Sequence, residues 1–131
     1  MDTNYQSCNL EIWGGIECTI NRIGDSYRDQ LHYAGHYTRE KDIDEIAKLG
    51  ISKLRYPLLW EAHEPVENQE IAWSRSARQL EKIRKLGMVP VAGLLHHGSG
   101  PKFTNLADPE FPEKLARYAS KVAQQFPWLE Y

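Results

Sequence analysis

The sequence predicts an α/β fold in which parallel strands alternate with helices. The prediction rests on three apolar runs, which span Trp13 to Thr19, Lys53 to Trp60 and Met88 to His97. Each run ends in polar, glycine-rich or aromatic residues and is followed by a loop and then a helical pattern. Nearly continuous apolar runs are typical of parallel strands that are buried on both faces. We therefore expect three successive βα units.

The length limits how much of a larger architecture these units can form. The chain has 131 residues, whereas a closed eight-stranded (β/α) barrel typically needs ~250 residues. Three βα units are too few to close such a barrel. No internal repeat or low-complexity linker divides the chain, so residues 1–131 are expected to form one architectural piece.

The first strand is followed by a polar and aromatic insertion that runs from Asn21 to Tyr37. It is longer than the ~2 to 6 residues that are usual for a βα loop. Barrel enzymes draw their chemistry from the C-terminal ends of strands and the loops that follow them. Two interpretations are open: a loop over the mouth of a pocket, or a flexible surface loop whose Tyr27, Tyr33 and Tyr37 pack over the barrel.

The first two helices are predicted from their capping residues and apolar spacing. The first runs from Arg39 to Leu49, with Thr38 as its cap and a glycine after it. Its apolar positions are Ile43, Ile46, Ala47 and Leu49. The second starts at Ser74 or Ser76 and ends before Gly87. Its apolar face consists of Ala77, Leu80, Ile83 and Leu86.

The third helix begins after a cap followed by a proline, Asp108-Pro109, and is ended by Pro127. Its apolar stripe consists of Phe111, Leu115, Tyr118, Ala119, Val122 and Phe126.

The polar residues at the strand ends are the candidates for function. In the second strand, Arg55, Trp60 and Glu61 bring together a cation, an indole and a carboxylate.

Charge and composition favour a small-molecule ligand. The formal net charge is −2, with acidic and basic residues interspersed, so there is no basic stripe for a nucleic acid. No segment approaches the ~20 apolar residues of a membrane span, and the first residues do not resemble a secretory signal. We therefore expect a cytoplasmic protein without nucleic-acid or membrane partners. Cys8 and Cys18 could pair, but reduced thiols are expected outside a secretory context.

Short motifs at the three strand ends resemble those of a known family. They are Trp13-Gly14-Gly15, then Arg55 with Trp60 and Pro65, then Leu95-His96-His97 with Pro101. In this order and spacing they resemble glycoside hydrolase family 1, the β-glucosidase-like barrels, whose strands read W-G-x-A-T, R-F-S-I-S-W-S-R-x-x-P and T-L-Y-H-W-D-L-P. The resemblance runs from about Ile12 to Trp128. It implies that residues 1–131 are the N-terminal three βα units of a TIM (β/α)8 barrel, truncated before strand 4.

The resemblance also implies roles for single residues. His97 matches the histidine that hydrogen-bonds sugar hydroxyls, and Arg55 matches the arginine that supports the nucleophilic carboxylate. Asn21 stands where the family has its sugar-binding glutamine, and Trp60 is a further candidate for substrate binding. Structural alternatives are open for three of these residues. Arg55 could pair with a carboxylate inside the barrel, and Trp60 could belong to the core. His97 could be a polar residue at a strand end whose hydrogen bonds are made within the protein.

The sequence also departs from the family's pattern. Ile23 replaces a glutamate, Gly98 and Ser99 replace a tryptophan and an aspartate, and Pro57-Leu58-Leu59 replaces S-I-S. These changes suggest a divergent branch with a different glycone or a relaxed role. Retaining glycosidases need two carboxyl groups ~5 Å apart, and in the family these follow the fourth and seventh strands. Neither can be assigned here, so the chain alone is expected to be inactive.

Three glutamates lie near the predicted strand ends. Glu17, Glu61 and Glu64 match no catalytic position and are interpreted as loop or rim charges. The expected function is part of a retaining hydrolase of β-glycosides in carbohydrate metabolism. The expected partners are a sugar or glycoside and the remainder of the barrel in the same polypeptide, and no cofactor is expected.

Three alternative interpretations stay open. The chain could be a non-catalytic carbohydrate-binding or scaffolding α/β module. It could be the N-terminal barrel of a fusion with a sugar-nucleotide reductase of the dTDP-4-dehydrorhamnose type, although its first strand lacks G-x-G-x-x-G. A metal site could combine His96 and His97 with His32, His36 or His63. Against it, adjacent residues on a strand point to opposite faces.

Overall fold

The computed structural model describes residues 10–97 and 100–131. These residues form five strands, β1 (Trp13–Gly15), β2 (Ile20–Ile23), β3 (Ser26–Asp29), β4 (Lys53–Pro57) and β5 (Val89–Gly93). They also form five helices, α1 (Gln30–Tyr33), α2 (Asp42–Ala47), α3 (Trp60–His63), α4 (Ser74–Lys85) and α5 (Phe111–Gln125). The main sheet is parallel, in the order β1-β4-β5, and β2 pairs with β3 in a separate antiparallel sheet. The predicted mixed α/β fold with a parallel sheet is confirmed.

The two faces of the parallel sheet differ in what covers them. Leu54 and Tyr56 of β4 are buried with side chains of α4 and α5 in the main core. Side chains alternate along a strand, so Lys53 and Arg55 lie on the opposite face. Trp13 pairs in register with Lys53, which pairs with Val89, so all three share that face. We call it the open face, because Trp13 and Arg55 are exposed there.

The parallel strands are shorter than predicted because the backbone changes its pairing at their ends. After Pro57, the N–H groups of Leu58 and Trp60 donate to the carbonyls of Gly93 and Leu94, at 2.9 Å each. Trp60 then begins α3 instead of ending a strand. The third run leaves the sheet after Gly93, well before His97.

The insertion after β1 is not the flexible loop that the sequence left open. It folds into the β2–β3 hairpin and the short helix α1. Gly24 takes a positive φ of 59° in the hairpin turn, a conformation that glycine adopts without a steric penalty. Asp29 caps α1, because its Oδ1 accepts a hydrogen bond of 2.9 Å from the N–H of Leu31.

The hairpin is fixed to the segment that follows β5. The Arg22 guanidinium donates to the carbonyls of Pro101 (3.1 Å) and Thr104 (2.7 Å). The Tyr27 hydroxyl donates to the carbonyl of Gly100 at 3.0 Å. Beneath the hairpin, Cys18 is buried in a small second core with Ile20, Leu31 and Leu59. Cys8 lies outside the described residues.

Two helix starts differ from the prediction. α2 begins at Asp42, and Thr38 does not cap it, because its hydroxyl donates to the Gly35 carbonyl at 3.0 Å. α5 begins at Phe111, since Asp108 accepts from the Glu110 N–H in the preceding turn. Both ends of α4 and the C-terminal end of α5 agree with the prediction. None of the helices in the described part of the chain is long and apolar enough to cross a membrane.

Candidate functional site

Arg55 supplies a cation on the open face, in the middle strand of the sheet. An ideal Cβ on Gly15 would lie 3.2 Å from the Nε of Arg55, so the glycine leaves room for the guanidinium. The Arg55 side chain is exposed. Among the described residues, carboxylates pair with other arginines and none lies within ion-pair distance of Arg55. The charge of Arg55 is therefore uncompensated in this part of the chain.

A short polar chain joins the ends of β1 and β5. The Nε2 of His96 lies 3.4 Å from Oε1 of Glu17, close enough for an ion pair but poorly aligned for a hydrogen bond. The same Oε1 accepts from the hydroxyl of Thr19 (2.6 Å) and from its N–H (3.2 Å). The hydrogen bond from the Thr19 hydroxyl is the main reason why the pKa of Glu17 is lowered. Glu17 is therefore held as a carboxylate that faces His96.

His96 and His97 follow β5 in a bend, so the expectation that they point to opposite faces of a strand is wrong. His97 has a positive φ of 53°, and the centroids of the two rings are 4.4 Å apart. His97 is exposed, whereas His96 is half-buried. Across residues 10–97 and 100–131, no three histidine, cysteine or carboxylate side chains form a group that could hold a metal ion.

Asn21 lies in β2, the first strand of the hairpin. It pairs in register with Arg28, and both side chains line an open groove with Thr19, Gln30 and Tyr33. The groove is connected to the strand ends, because Thr19 binds both Gln30 and Glu17. Asn21 thus lies on the hairpin and His97 in the bend after β5, and their roles toward a sugar stay predictions.

Trp60 belongs to the core, in line with the structural alternative. It is 1 % exposed, stacks on Tyr118 at 5.9 Å and meets Phe103 and Phe111 edge-on. Its Nε1–H donates to Oε2 of Glu64 at 2.9 Å. No face of the indole is available to stack on a sugar. The sequence signal for this burial is the alternation of Leu54, Tyr56, Leu58 and Trp60, which all belong to the main core although the strand itself ends at Pro57.

Glu61 and Glu64 are buried, so their interpretation as rim charges is wrong. Glu64 is 4 % exposed and accepts from the Trp60 indole, from the Asn68 N–H (3.1 Å) and from Lys121. Glu61 is 6 % exposed, and neither of its oxygens has a hydrogen-bond partner in the described part of the chain. Burial raises the pKa of Glu61. The burial of Glu61 beneath the hairpin has no signal in the local sequence.

His63 takes part in a half-buried polar contact at the start of α4. Its Nδ1–H donates to the Leu59 carbonyl at 2.8 Å, which leaves Nε2 to accept from the Ser76 hydroxyl at 2.6 Å. Burial lowers the pKa of His63. A neutral His63 therefore anchors the start of α4, where no side chain caps the helix.

No protein-family model and no curated protein sequence matches the chain. Solved structures do match it. A β-glucosidase from Exiguobacterium marinum has a TM-score of 0.65 and 21% identity, and the match covers 72% of this chain and 23% of that one. An exo-β-1,4-mannosidase from Opitutaceae bacterium strain TAV5 has a TM-score of 0.62 and 21% identity, and covers 88% of this chain and 22% of that one.

A family 39 glycoside hydrolase from Bacteroides cellulosilyticus WH2 also matches, with a TM-score of 0.52 and 14% identity, over 86% of this chain and 22% of that one. The chain thus spans less than a quarter of the length of each of these proteins. At such identities the likeness concerns the fold, since one fold supports many functions. The chain therefore has a glycoside hydrolase-like fold.

Proposed function

We propose that the chain forms the first three βα units of a retaining β-glycoside hydrolase barrel and supplies part of its sugar-binding site. The observation that carries the proposal is the uncompensated guanidinium of Arg55 on the open face of a parallel sheet. Its support comes from the glycoside hydrolase-like fold of the chain. The motif resemblance to family 1 is independent of that structural similarity.

Double displacement explains why Arg55 lacks a partner in this part of the barrel. The reaction uses a carboxylate nucleophile and a second carboxyl group ~5 Å from it that acts as acid and base. In the proposal, both are contributed by later strands of the same polypeptide. A guanidinium beside the nucleophile favours its ionised form and fixes its orientation through N–H donors. Arg55 is therefore a positioning residue for a carboxylate that this chain does not contain.

The open face and one sheet edge offer places for those later strands. Trp13 and Tyr131 are 54% and 51% exposed, with ring centroids 6.1 Å apart. The N–H of Ala92 donates to the carbonyl of Tyr131 at 2.8 Å, so backbone already pairs along the outer edge of β5. A fourth parallel strand would continue this pairing, and closure of the barrel by the later strands would enclose the open face.

In this proposal, polar side chains of the strand ends and the hairpin hold the sugar. A sugar is densely hydroxylated, so it needs fixed donors and acceptors. His97 and Asn21 are exposed and offer both, while Glu17 accepts opposite His96. The buried Trp60 does not touch the sugar; it stabilises the end of β4 from the core side.

The test joins this chain to the polypeptide that follows it and measures hydrolysis of aryl β-glucosides and aryl β-mannosides. Arg55→Lys keeps the charge but removes the planar fork, and it should lower kcat roughly a hundredfold or more. Arg117→Lys is the matched control, because Arg117 lies on α5 and pairs with Glu67 at 3.4 Å. It should leave kcat unchanged.

Full activity in the Arg55→Lys variant would refute the role of Arg55. Sugar binding without hydrolysis in the joined wild-type protein would instead support a non-catalytic carbohydrate-binding module. The binding measurement can be made on the same sample by calorimetry with an unhydrolysable thioglycoside.

A further inference from the structure

The groove on the hairpin has the chemistry of a binding site that is separate from the open face. Its lining residues are Thr19, Asn21, Arg28, Gln30 and Tyr33, and we call it the hairpin groove. Its volume is about 360 Å³, near the lower end of the ~300 to 1,000 Å³ of typical ligand sites. Its walls carry two amides, a hydroxyl, a phenol and a guanidinium.

Arg28 gives the hairpin groove a positive charge. Its guanidinium lies over the ring of Tyr33, 4.8 Å from the ring centroid. No carboxylate of the described residues is within ion-pair distance of Arg28. This contact restrains the guanidinium, whose planar fork of N–H donors matches a carboxylate or a sulfate.

Nearby acidic groups have other partners. The carboxylate of Asp29 accepts from the N–H of Leu31 (2.9 Å) and the hydroxyl of Tyr37 (2.6 Å). It follows Arg28 in the strand and therefore lies on the other face of the hairpin. The nearest acid along the chain on the other side, Asp25, lies 3.6 Å from Arg22 at the turn. Neither carboxylate pairs with Arg28.

The remaining groups suit a sugar ring. Tyr33 is 68% exposed, so its ring offers area to an apolar sugar face. The exposed Asn21 and Gln30 provide amide donors and acceptors for hydroxyl groups. An anion alone would need the arginine but neither the ring nor the amides.

A chain of polar contacts joins the hairpin groove to the proposed sugar site at the strand ends. The Oε1 of Gln30 accepts from the N–H of Thr19 at 3.1 Å, and Thr19 donates to Glu17. Glu17 in turn faces His96 at 3.4 Å. A chain of sugars held at the strand ends would pass the exposed Glu17 and then Thr19 to reach the hairpin groove.

We infer that the hairpin groove is a second sugar subsite that binds an anionic pyranose unit, with its carboxylate or sulfate on Arg28 and its ring against Tyr33. The inference rests on the proposed function, because it adds a neighbouring residue to the glycan that the strand ends would hold. The substrate class is therefore an acidic glycan.

The test titrates the 131-residue chain with four compounds and follows backbone amide shifts by NMR. The compounds are methyl β-D-glucuronide, glucose 6-sulfate, methyl β-D-glucoside and acetate. Both anionic sugars should bind roughly tenfold or more tightly than the neutral glucoside, since a charge-assisted fork contact contributes at least that factor. The largest shifts should fall on Thr19, Asn21, Gln30 and Tyr33. Whichever of the two anionic sugars binds more tightly identifies the anion.

Variants test whether Arg28 causes the preference for anionic sugars. Arg28→Gln should abolish it, whereas Arg78→Gln, at an exposed arginine of α4, should leave it intact. Circular dichroism shows whether both variants keep the fold. Tyr33→Leu should weaken binding of all three sugars and leave acetate unchanged.

Equal affinity for the neutral and anionic sugars would overturn the inference. So would a preference that survives Arg28→Gln, or acetate binding as tightly as the glucuronide. The proposed function fails separately, through the kcat of the Arg55→Lys variant. A preference for anionic sugars that persists beside unimpaired Arg55→Lys activity would leave the hairpin groove as a carbohydrate site and remove the assigned role of Arg55.

Discussion

Glu61 and Glu64 lie three residues apart and are both buried. Their substitution should nevertheless change the free energy of unfolding in opposite directions. Glu64 has three hydrogen-bond donors, including the cationic Lys121, whereas Glu61 has none in the described part of the chain. An unsatisfied buried polar group costs about 1 to 3 kcal/mol, and more when it is charged. Replacing Glu61 by methionine, which has a similar shape and no polar oxygen, should therefore raise the free energy of unfolding by about 1 to 3 kcal/mol at pH 8.

The gain should depend on pH. Burial raises the pKa of Glu61 in the folded chain above its ordinary value of 4.5, so the folded state holds a proton that the unfolded state has released. Wild-type stability is therefore lost as the pH rises from about 4.5 through the folded pKa. Methionine does not titrate, so the advantage of Glu61→Met should be larger at pH 8 than at pH 4.

Urea unfolding followed by tryptophan fluorescence measures both quantities, with an unchanged m-value as the check on two-state behaviour. Glu64→Gln is the matched control, because it removes the charge that Lys121 pairs with, and it should lose about 1.5 to 3 kcal/mol. A Glu61→Met variant that is less stable than wild type at pH 8, or a gain that is the same at both pH values, would refute the reasoning.

Three further outcomes can be measured on the same chain. Trp60→Ala should cost about 3 to 5 kcal/mol in urea unfolding, because it empties a fully buried site; a loss below ~1 kcal/mol would contradict the core assignment. His63 should titrate below its ordinary pKa of 6.5 in an NMR pH series because burial disfavours its charged form, and Ser76→Ala should leave that direction unchanged. Burial raises the pKa of Cys18 to about 11, so its reaction with a disulfide reagent at pH 8 should be slow in the folded chain and fast in urea. Equal rates in the two conditions would show that Cys18 is not protected.

The parallel sheet and its three main helices are predictable because their signals are local. Buried strands appear as apolar runs, and α4 is bounded by a serine and a glycine that mark its ends in the sequence. The positions where the strands stop are not predictable in this way. The end of β4 depends on hydrogen bonds from the N–H groups of Leu58 and Trp60 to the carbonyls of Gly93 and Leu94. These partners are more than 30 residues away in the chain, so the local sequence does not predict the pairing.

In the candidate site, too, some features have a local sequence signal and others do not. Arg55 is identified by its place in a strand, and the strand period puts it on the face opposite Leu54 and Tyr56. The hairpin was missed because its two-residue turn, Gly24-Asp25, lies in a polar stretch without apolar alternation. Glu61 is close enough to Arg22 and Asp29 of the hairpin for their charges to act on its pKa, and no local sequence pattern predicts this proximity.

The hydrogen bonds of Arg22 join the hairpin to the segment from residue 101 to 104, so the two segments can be exchanged between proteins only together. The donors and acceptors lie 79 and 82 residues apart in the chain, yet each depends on the position of the other. A hairpin transplanted alone into a related scaffold would lose these acceptors and leave the Arg22 guanidinium without its anchors. Recombination between related proteins should therefore preserve the groove only when the crossover points keep both segments from the same parent.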